Sequence, residues 1–291
     1  MKIINYGSMN IDNVYTVDHM VQPGETMLAL ERNVFCGGKG LNQSIAIAKA
    51  GGQVYHAGIV GQDGGILLEA LHRFGVDDQF VRRAEGPSGH TVIQVDRNGQ
   101  NSIIVFSGEN MRPAESDIDH ILEAFGPEDA VIMQNELYNS PLMMKKAAQK
   151  GLCVIFNPSP INEGLKEYPL DSVSWFVLNE IEGAALTDET EPEKILAGMK
   201  ARYPKASVVL TLGEKGAYCM HEGKTFFQPA FRVKAVDTTA AGDTFTGYFV
   251  AGLASGMPVE QLMRRAALAS SITVGRKGAA DSIPLASEVE A

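Results

Sequence analysis

The stretch AVIMQNELYNSPLMMKKAAQKGLCVIFN, residues 130–157, decides the fold. Its two ends, Ala130–Gln134 and Leu152–Phe156, are short and almost wholly apolar, with no polar alternation. That is how a strand reads when helices cover both of its faces. Between them Pro141–Lys150 reads as an amphipathic helix. Working outward, further strands are predicted at Lys2–Tyr6, Val54–Ile59, Trp175–Leu178 and Val208–Leu212. Further helices are predicted at Leu41–Ala50, Gly65–Phe74, Ser116–Ala124, Glu180–Leu186, Pro192–Arg202, Thr244–Ser255 and Val259–Val274. The alternation implies an α/β fold with a doubly wound, mostly parallel sheet flanked by helices. Ligands of such sheets lie at the carboxyl ends of the strands.

One region breaks the pattern. HTVIQVDRNGQNSIIVF, His90 to Phe106, alternates apolar and polar residues around Asn98-Gly99, a hairpin signal. With the extended segment Val14–Phe35 it predicts a small separate sheet, which must cover a cleft, a partner subunit, or both. A second hairpin, Ala217–Met220 with Thr225–Gln228, turns at residues 221–224. No repeat or linker divides the chain, so residues 1–291 read as one domain.

The composition agrees with a single large α/β domain. Of 291 residues, 45% are hydrophobic and 21% charged. A formal net charge of -10 argues against nucleic-acid or anionic-membrane partners, whose binding surfaces are basic. Cys36, Cys153 and Cys219 have no CxxC spacing and read as reduced thiols of a cytoplasmic protein. Neither a signal peptide nor a membrane helix is evident.

Four strand-to-helix junctions could carry chemistry. CGGKGLNQSIAIAKAGG, Cys36 to Gly52, offers glycines for close backbone approach, with Lys39 and Asn42 as donors to hydroxyl groups. Its plainer reading is a flexible loop before a helix. Asn179-Glu180-Ile181-Glu182 follows a strand and could hold the water shell of Mg²⁺, or Asn179 could simply cap a helix. TLGEKGAY, Thr211 to Tyr218, could admit a nucleotide or be an ordinary loop. TTAAGDTFTG, residues 238–247, puts small residues at an incipient helix start. Its amides suit a phosphoryl group, and Asp243 could take a hydroxyl proton or merely cap the helix. No GxxxxGK[ST], GxGxxG or HExxH occurs. Four such junctions in one chain point to a phosphate-handling enzyme.

From GSMNID (Gly7–Asp12) to GRKGAADSIP (Gly275–Pro284), and above all in GGKGLNQ and DTTAAGDTFTG, the chain resembles the phosphofructokinase-B family of carbohydrate kinases, its ribokinase branch above all. The resemblance implies a ribokinase-like domain with a β lid from about residues 12–36 and 88–107. It implies ATP-dependent transfer of the γ-phosphoryl group to a primary hydroxyl, with D-ribose giving ribose 5-phosphate. Alternatives are another acceptor of the same family (deoxyribose, fructose, a ketodeoxy sugar acid or a nucleoside) or a silent sugar-binding regulator. By the resemblance, Asp243 is the catalytic base, and Ala241 and Gly242 help form the anion hole. Asn10, Asp12, Gly38, Lys39, Asn42 and Glu136, with Asp243, bind the sugar. Thr211, Gly213, Glu214 and Gly216, with Asn179 and Gly242, serve ATP. Asn179 and Glu182 organise Mg²⁺ through water, and Asp237, Thr239, Thr273, Arg276, Gly278 and Ser282 surround K⁺. The lid implies a homodimer. Glu109 stands where that family usually has a small residue.

Overall fold

The computed structural model describes residues 1–290. In chain order the strands are β1 (Ile3–Tyr6), β2 (Asn10–Thr16), β3 (Glu31–Gly37), β4 (Val54–Val60), β5 (Asp77–Arg83), β6 (Gly89–Val95), β7 (Asn101–Phe106), β8 (Ala130–Gln134), β9 (Cys153–Asn157), β10 (Trp175–Asn179), β11 (Ser207–Thr211), β12 (Gly216–His221) and β13 (Lys224–Pro229). The helices are α1 (Lys39–Lys49), α2 (Gly65–Arg73), α3 (Glu115–Glu123), α4 (Ser140–Gln149), α5 (Glu180–Thr187), α6 (Pro192–Arg202), α7 (Ala241–Ala254), α8 (Val259–Val274) and α9 (Ala286–Val289).

The large sheet runs β13-β12-β11-β10-β9-β8-β1-β4-β5 and is parallel from β11 to β5. Only β12 runs the other way, pairing antiparallel with both β11 and β13. Successive residues of each central strand feed opposite cores, as the period of 2 requires. Ile3, Ala130 and Ile132 join Leu41, Ile45, Phe249 and Leu262 of α1, α7 and α8. Ile4, Val131 and Met133 join Ile118, Met143, Ile195 and Met199 of α3, α4 and α6. Each fully buried Ile, Leu, Val, Met or Phe among them contributes about 1.5–3 kcal/mol, so unbroken apolar strands and a two-faced sheet require one another. Helix α7 is buried from Thr244 through Gly252 and packs on α1. At Gly247 an added Cβ would lie 2.3 Å from that of Ala46, so the contact between the two helices depends on the glycine.

The strand order reverses between β1 and β8. From β1 the sheet continues to β4 and β5 on one side, and to β8, β9, β10 and β11 on the other. A crevice therefore opens beyond the carboxyl ends of β1 and β8. The second sheet, β3-β2-β6-β7, rises from that edge because β2 follows β1 after only three residues. Along its outer strand Ile103, Ile104, Val105 and Phe106 are at least half exposed.

Three details differ from the sequence reading. Strand β5, DDQFVRR, is mostly polar and lies at the edge of the large sheet, so it lacks the apolar run of the central strands. The single extended segment Val14–Phe35 is two strands, β2 and β3, joined by residues 17–30. Helix α7 starts at Ala241, three residues before Thr244, which places Asp243 in its first turn. No helix among the described residues is long and apolar enough to cross a membrane.

Candidate active site

The GGKG turn is tightly packed, which corrects its reading as a flexible loop. A Cβ on Gly40 would meet the backbone of Gly7 and Ser8 at 2.5 Å. Gly38 holds φ 93° against the Ser8 carbonyl. Only glycine allows both the left-handed backbone and the close approach. The start of α1 is thus pressed onto the loop after β1, with the Leu41 amide donating to the Ser8 carbonyl at 2.9 Å.

Helix α7 begins without a side-chain cap, at Ala240 with φ 59°. Among the described residues the amides of Gly242 and Asp243 find no acceptor, whereas that of Ala241, expected with Gly242 at the anion hole, donates to the Thr238 carbonyl at 3.3 Å, and a side chain at Gly242 would meet nothing within 4 Å. Two open amides at the positive end of a helix dipole make a seat for an anion. Asp243 is not spent on capping. Its Oδ2 accepts from Asn42 Nδ2 at 3.0 Å and its Oδ1 from Gln43 Nε2 at 3.0 Å. Both donors stand on α1, immediately after the GGKG turn.

Behind Asp243 runs a buried polar network. Gln43 Nε2 also donates to Asn157 Oδ1 at 3.2 Å, and Gln43 Oε1 accepts from Gln134 Nε2 at 2.7 Å. Gln134 Nε2 reaches Asn5 Oδ1 at 3.1 Å. Asn5 Nδ2 donates to Ser44 Oγ at 2.9 Å and to the Gly40 carbonyl at 2.8 Å. Ser44 meets His56 Nδ1 at 2.8 Å, and His56 Nε2 meets the Gly7 carbonyl at 3.1 Å. Gln43, Asn157, Gln134, Asn5 and Ser44 were missed in the sequence. The available signal was a polar residue closing or interrupting an apolar strand, as in IINY, AVIMQ and CVIFN.

Charged groups also stand near Asp243. Asn179 and Glu182 form a reciprocal capping box at the start of α5: Glu182 N donates to Asn179 Oδ1 at 2.9 Å and Asn179 N to Glu182 Oε2 at 3.0 Å. Asn157 Nδ2 also reaches Glu182 Oε2, at 3.4 Å. The cap and the metal reading are therefore compatible, because capping is what fixes the carboxylate. Burial raises Glu182 above the usual carboxylate range, against the donors from Asn179 and Ser159 and the charge of Lys39. Burial alone would lower Lys39, but the carboxylates of Asp243, Glu136 and Glu182 outweigh it and hold the ammonium above its ordinary value. Glu136 follows β8, accepts from the Ser8 hydroxyl, and is raised chiefly by burial.

At the lid, Asn10 Oδ1 accepts from Asn110 Nδ2 at 2.9 Å. Asp12 Oδ1 accepts from Thr91 Oγ1 at 2.7 Å, while burial raises Asp12 and Thr91 opposes that. Ser8, Asn10, Asn110 and Glu136 line a cavity of about 640 Å³. Glu109 is buried against Gly86, where a Cβ would lie 2.0 Å from its Oε1, so the space its larger side chain occupies is supplied by a glycine.

The nucleotide and cation positions are less closely drawn together. Thr211 ends β11 and its hydroxyl turns back to the Leu178 carbonyl at 3.3 Å. Gly213 and Glu214 lie in an exposed turn, and Gly216 opens β12 with φ 127°. Asp237 ties two segments, accepting from Thr239 N at 2.9 Å and Gly278 N at 3.1 Å. Those bonds lower its carboxyl against the opposing effect of burial. The Thr273 hydroxyl instead faces Thr244 Oγ1 at 3.0 Å, the Ser282 hydroxyl donates to Ala279 O at 2.7 Å, and the Arg276 side chain pairs with Glu288 at 2.5 Å. Any part these three take at a cation rests on their carbonyls.

A crevice at the switch point of a doubly wound sheet, roofed by a small β sheet, is where an α/β protein of this kind holds its ligands. The chain belongs to the pfkB family: residues 1–286 match the family described as pfkB family carbohydrate kinase. It is 32% identical to the ribokinase of Haemophilus influenzae over 97% of this chain and 95% of that one. It is 31% identical to the deoxyribokinase of Salmonella typhi over 98% and 96% of the two chains. The structure of Arabidopsis thaliana ribokinase complexed with ribose and ATP superposes with a TM-score of 0.89, at 32% identity over 99% and 97% of the chains.

The network makes a pH prediction. Burial lowers His56 from 6.5 to about 4, against the opposing effects of the Gly7 carbonyl and Asp78. His56 therefore stays neutral in the folded chain while the unfolded chain gains a proton. Its contribution to stability is complete above pH 6.5 and is lost as pH falls toward 4. The loss is on the order of 3 kcal/mol. Denaturant titrations across this range should show that slope in the wild type and a flatter one in His56→Gln. Equal slopes would remove His56 as its source.

Proposed function

We propose that the protein transfers the γ-phosphoryl group of ATP to the primary hydroxyl of D-ribose, giving ribose 5-phosphate. The observation that carries this reading is Asp243, which stands at an uncapped helix start with both oxygens held by α1. One carboxylate thereby adjoins both an anion seat and the helix that follows the sugar-type GGKG turn.

The chemistry follows from that placement. The sugar oxygen bonds to the γ-phosphorus as the bond from that phosphorus to the β–γ bridging oxygen breaks, and ADP departs. The hydroxyl proton passes to Asp243 late, as the new bond forms, because a free alcohol is far too weak an acid to yield it earlier. The amides of Gly242 and Asp243 receive the charge gathering on the phosphoryl oxygens, and Lys39 adds a fixed positive charge nearby. Asn10, Asp12, Asn42 and Glu136 orient the sugar, and the lid excludes water that would otherwise accept the phosphoryl group. Residues 211–216 serve the nucleotide.

The donor set fits Mg²⁺ held through water and phosphate. The Glu182 carboxylate is fixed by Asn179, and no group of three His, Cys, Asp or Glu side chains suited to direct ligation occurs among the described residues. Bound with ATP, Mg²⁺ supplies charge neutralisation. Oxygens of the two segments tied by Asp237 (around Thr239, Thr273, Arg276, Gly278 and Ser282) would hold K⁺ and brace the anion seat. Three free cysteines suit the reducing cytoplasm.

Ribose is the proposed acceptor because relatives covering nearly the whole chain carry that activity in their names, one of them bound to ribose and ATP. The Salmonella typhi relative supports 2-deoxyribose as the second reading. ADP release should be measured with Mg·ATP and ribose, 2-deoxyribose or fructose, with and without K⁺. Turnover strongest on ribose and raised by K⁺ is expected. Preference for 2-deoxyribose would overturn the acceptor, indifference to K⁺ the cation site, and no turnover on any sugar the kinase reading itself.

The apolar outer edge of the lid also supports a homodimer, since Ile103, Ile104, Val105 and Phe106 form an exposed strand of a kind that two copies can cover. Light scattering should give twice the 31.3 kDa chain mass, falling to the monomer in Ile104→Asp. A monomeric wild type would contradict the dimer.

A further inference from the structure

We infer that Gln43 is a positioning residue for Asp243, and that the chain Gln134–Asn5–Ser44–His56 exists to fix which end of its amide faces the carboxylate. This rests on the kinase reading above. A glutamine can present either oxygen or nitrogen to a neighbour, and only nitrogen serves a carboxylate. Two atoms in the network have no such freedom, the carbonyls of Gly40 and Gly7, which can only accept.

Their roles propagate. Asn5 Nδ2 must face the Gly40 carbonyl, which leaves Asn5 Oδ1 as an acceptor toward Gln134. Gln134 Nε2 then spends its two protons on Asn5 Oδ1 and Gln43 Oε1. With its oxygen so held, Gln43 can turn only its Nε2 protons to Asp243 Oδ1 and Asn157 Oδ1. From the other end, His56 Nε2 donates to the Gly7 carbonyl, so Nδ1 accepts the Ser44 proton, and Ser44 Oγ in turn accepts from Asn5. Both carbonyls demand the same direction at every link. Asn5, Gln43, Ser44 and His56 are fully buried and Gln134 is 1% exposed, so water cannot substitute for any of them. Gln134 Oε1 is left buried without a partner.

Gln43→Met retains the volume and removes the donor. In steady-state kinetics with Mg·ATP and the preferred sugar, kcat should fall about tenfold to a hundredfold, with both KM values within about threefold of wild type. The acidic limb of the kcat profile should move to higher pH, because a donor favouring the ionised carboxylate has gone. Gln134→Met, which touches neither Asp243 nor any proposed substrate group, should move kcat and the limb in the same direction by less. Either variant that keeps wild-type kcat and pH limb, or raises KM alone, would overturn the inference. If one variant is shown by circular dichroism not to fold, the other decides. If both fail to fold, the network is structural and the inference falls. An inactive wild type would defeat the kinase reading instead, which separates the two failures.

Discussion

Two hydrogen bonds, from Asn42 and Gln43 to the two oxygens of Asp243, join α1 to α7 at the one place where both helices begin. Much of the structure serves that junction. The glycines at 38 and 40 let α1 start against the loop after β1, and Gly247 lets α7 pack on α1 at Ala46. Without those close approaches, amide and carboxylate would stand too far apart to bond. The crevice is thus set by main-chain packing first and by polar contacts second.

The junction lies within an apolar core, which is costly. Asn5, Gln43, Ser44, His56 and Gln134 are polar side chains among strands whose other members are aliphatic. Each would cost about 1–3 kcal/mol if left unpaired, and the network avoids nearly all of that by mutual bonding. The same seclusion removes competing water, so the direction of each amide is decided by protein atoms alone. Around the crevice, Lys39 is set among Asp243, Glu136 and Glu182, whose carboxylates hold its ammonium charged against the cost of burial.

The sheet was legible because its central strands are apolar on both faces. Residues 130–157 alone carry a strand, a helix and a parallel strand; the first strand has its predicted bounds and the other two elements are shifted by one residue. Strand β5 was hidden because an edge strand need bury little, and DDQFVRR looks like surface. Candidate positions in GGKGLNQ and TTAAGDTFTG were named through the family resemblance, since small residues at a helix start equally suit an ordinary loop or cap. What the sequence could not disclose was direction. NEIE reads as a helix cap or, more remotely, a metal aid, and the structure shows the cap, with the Glu182 carboxylate held by Asn179 and reached by Asn157. Gln43, Gln134 and Asn5 come from three separate elements, and nothing local in any of them marks it as facing the others.

The central claim is that Asp243 takes the proton of the accepting hydroxyl. Its most direct test is Asp243→Asn, which keeps the shape of the side chain and removes its basicity. The account predicts a folded protein that still binds ATP and sugar and whose kcat falls about 10²- to 10⁴-fold. A variant with near-wild-type kcat would contradict it, and would leave the bonds from Asn42 and Gln43 as packing between two helices.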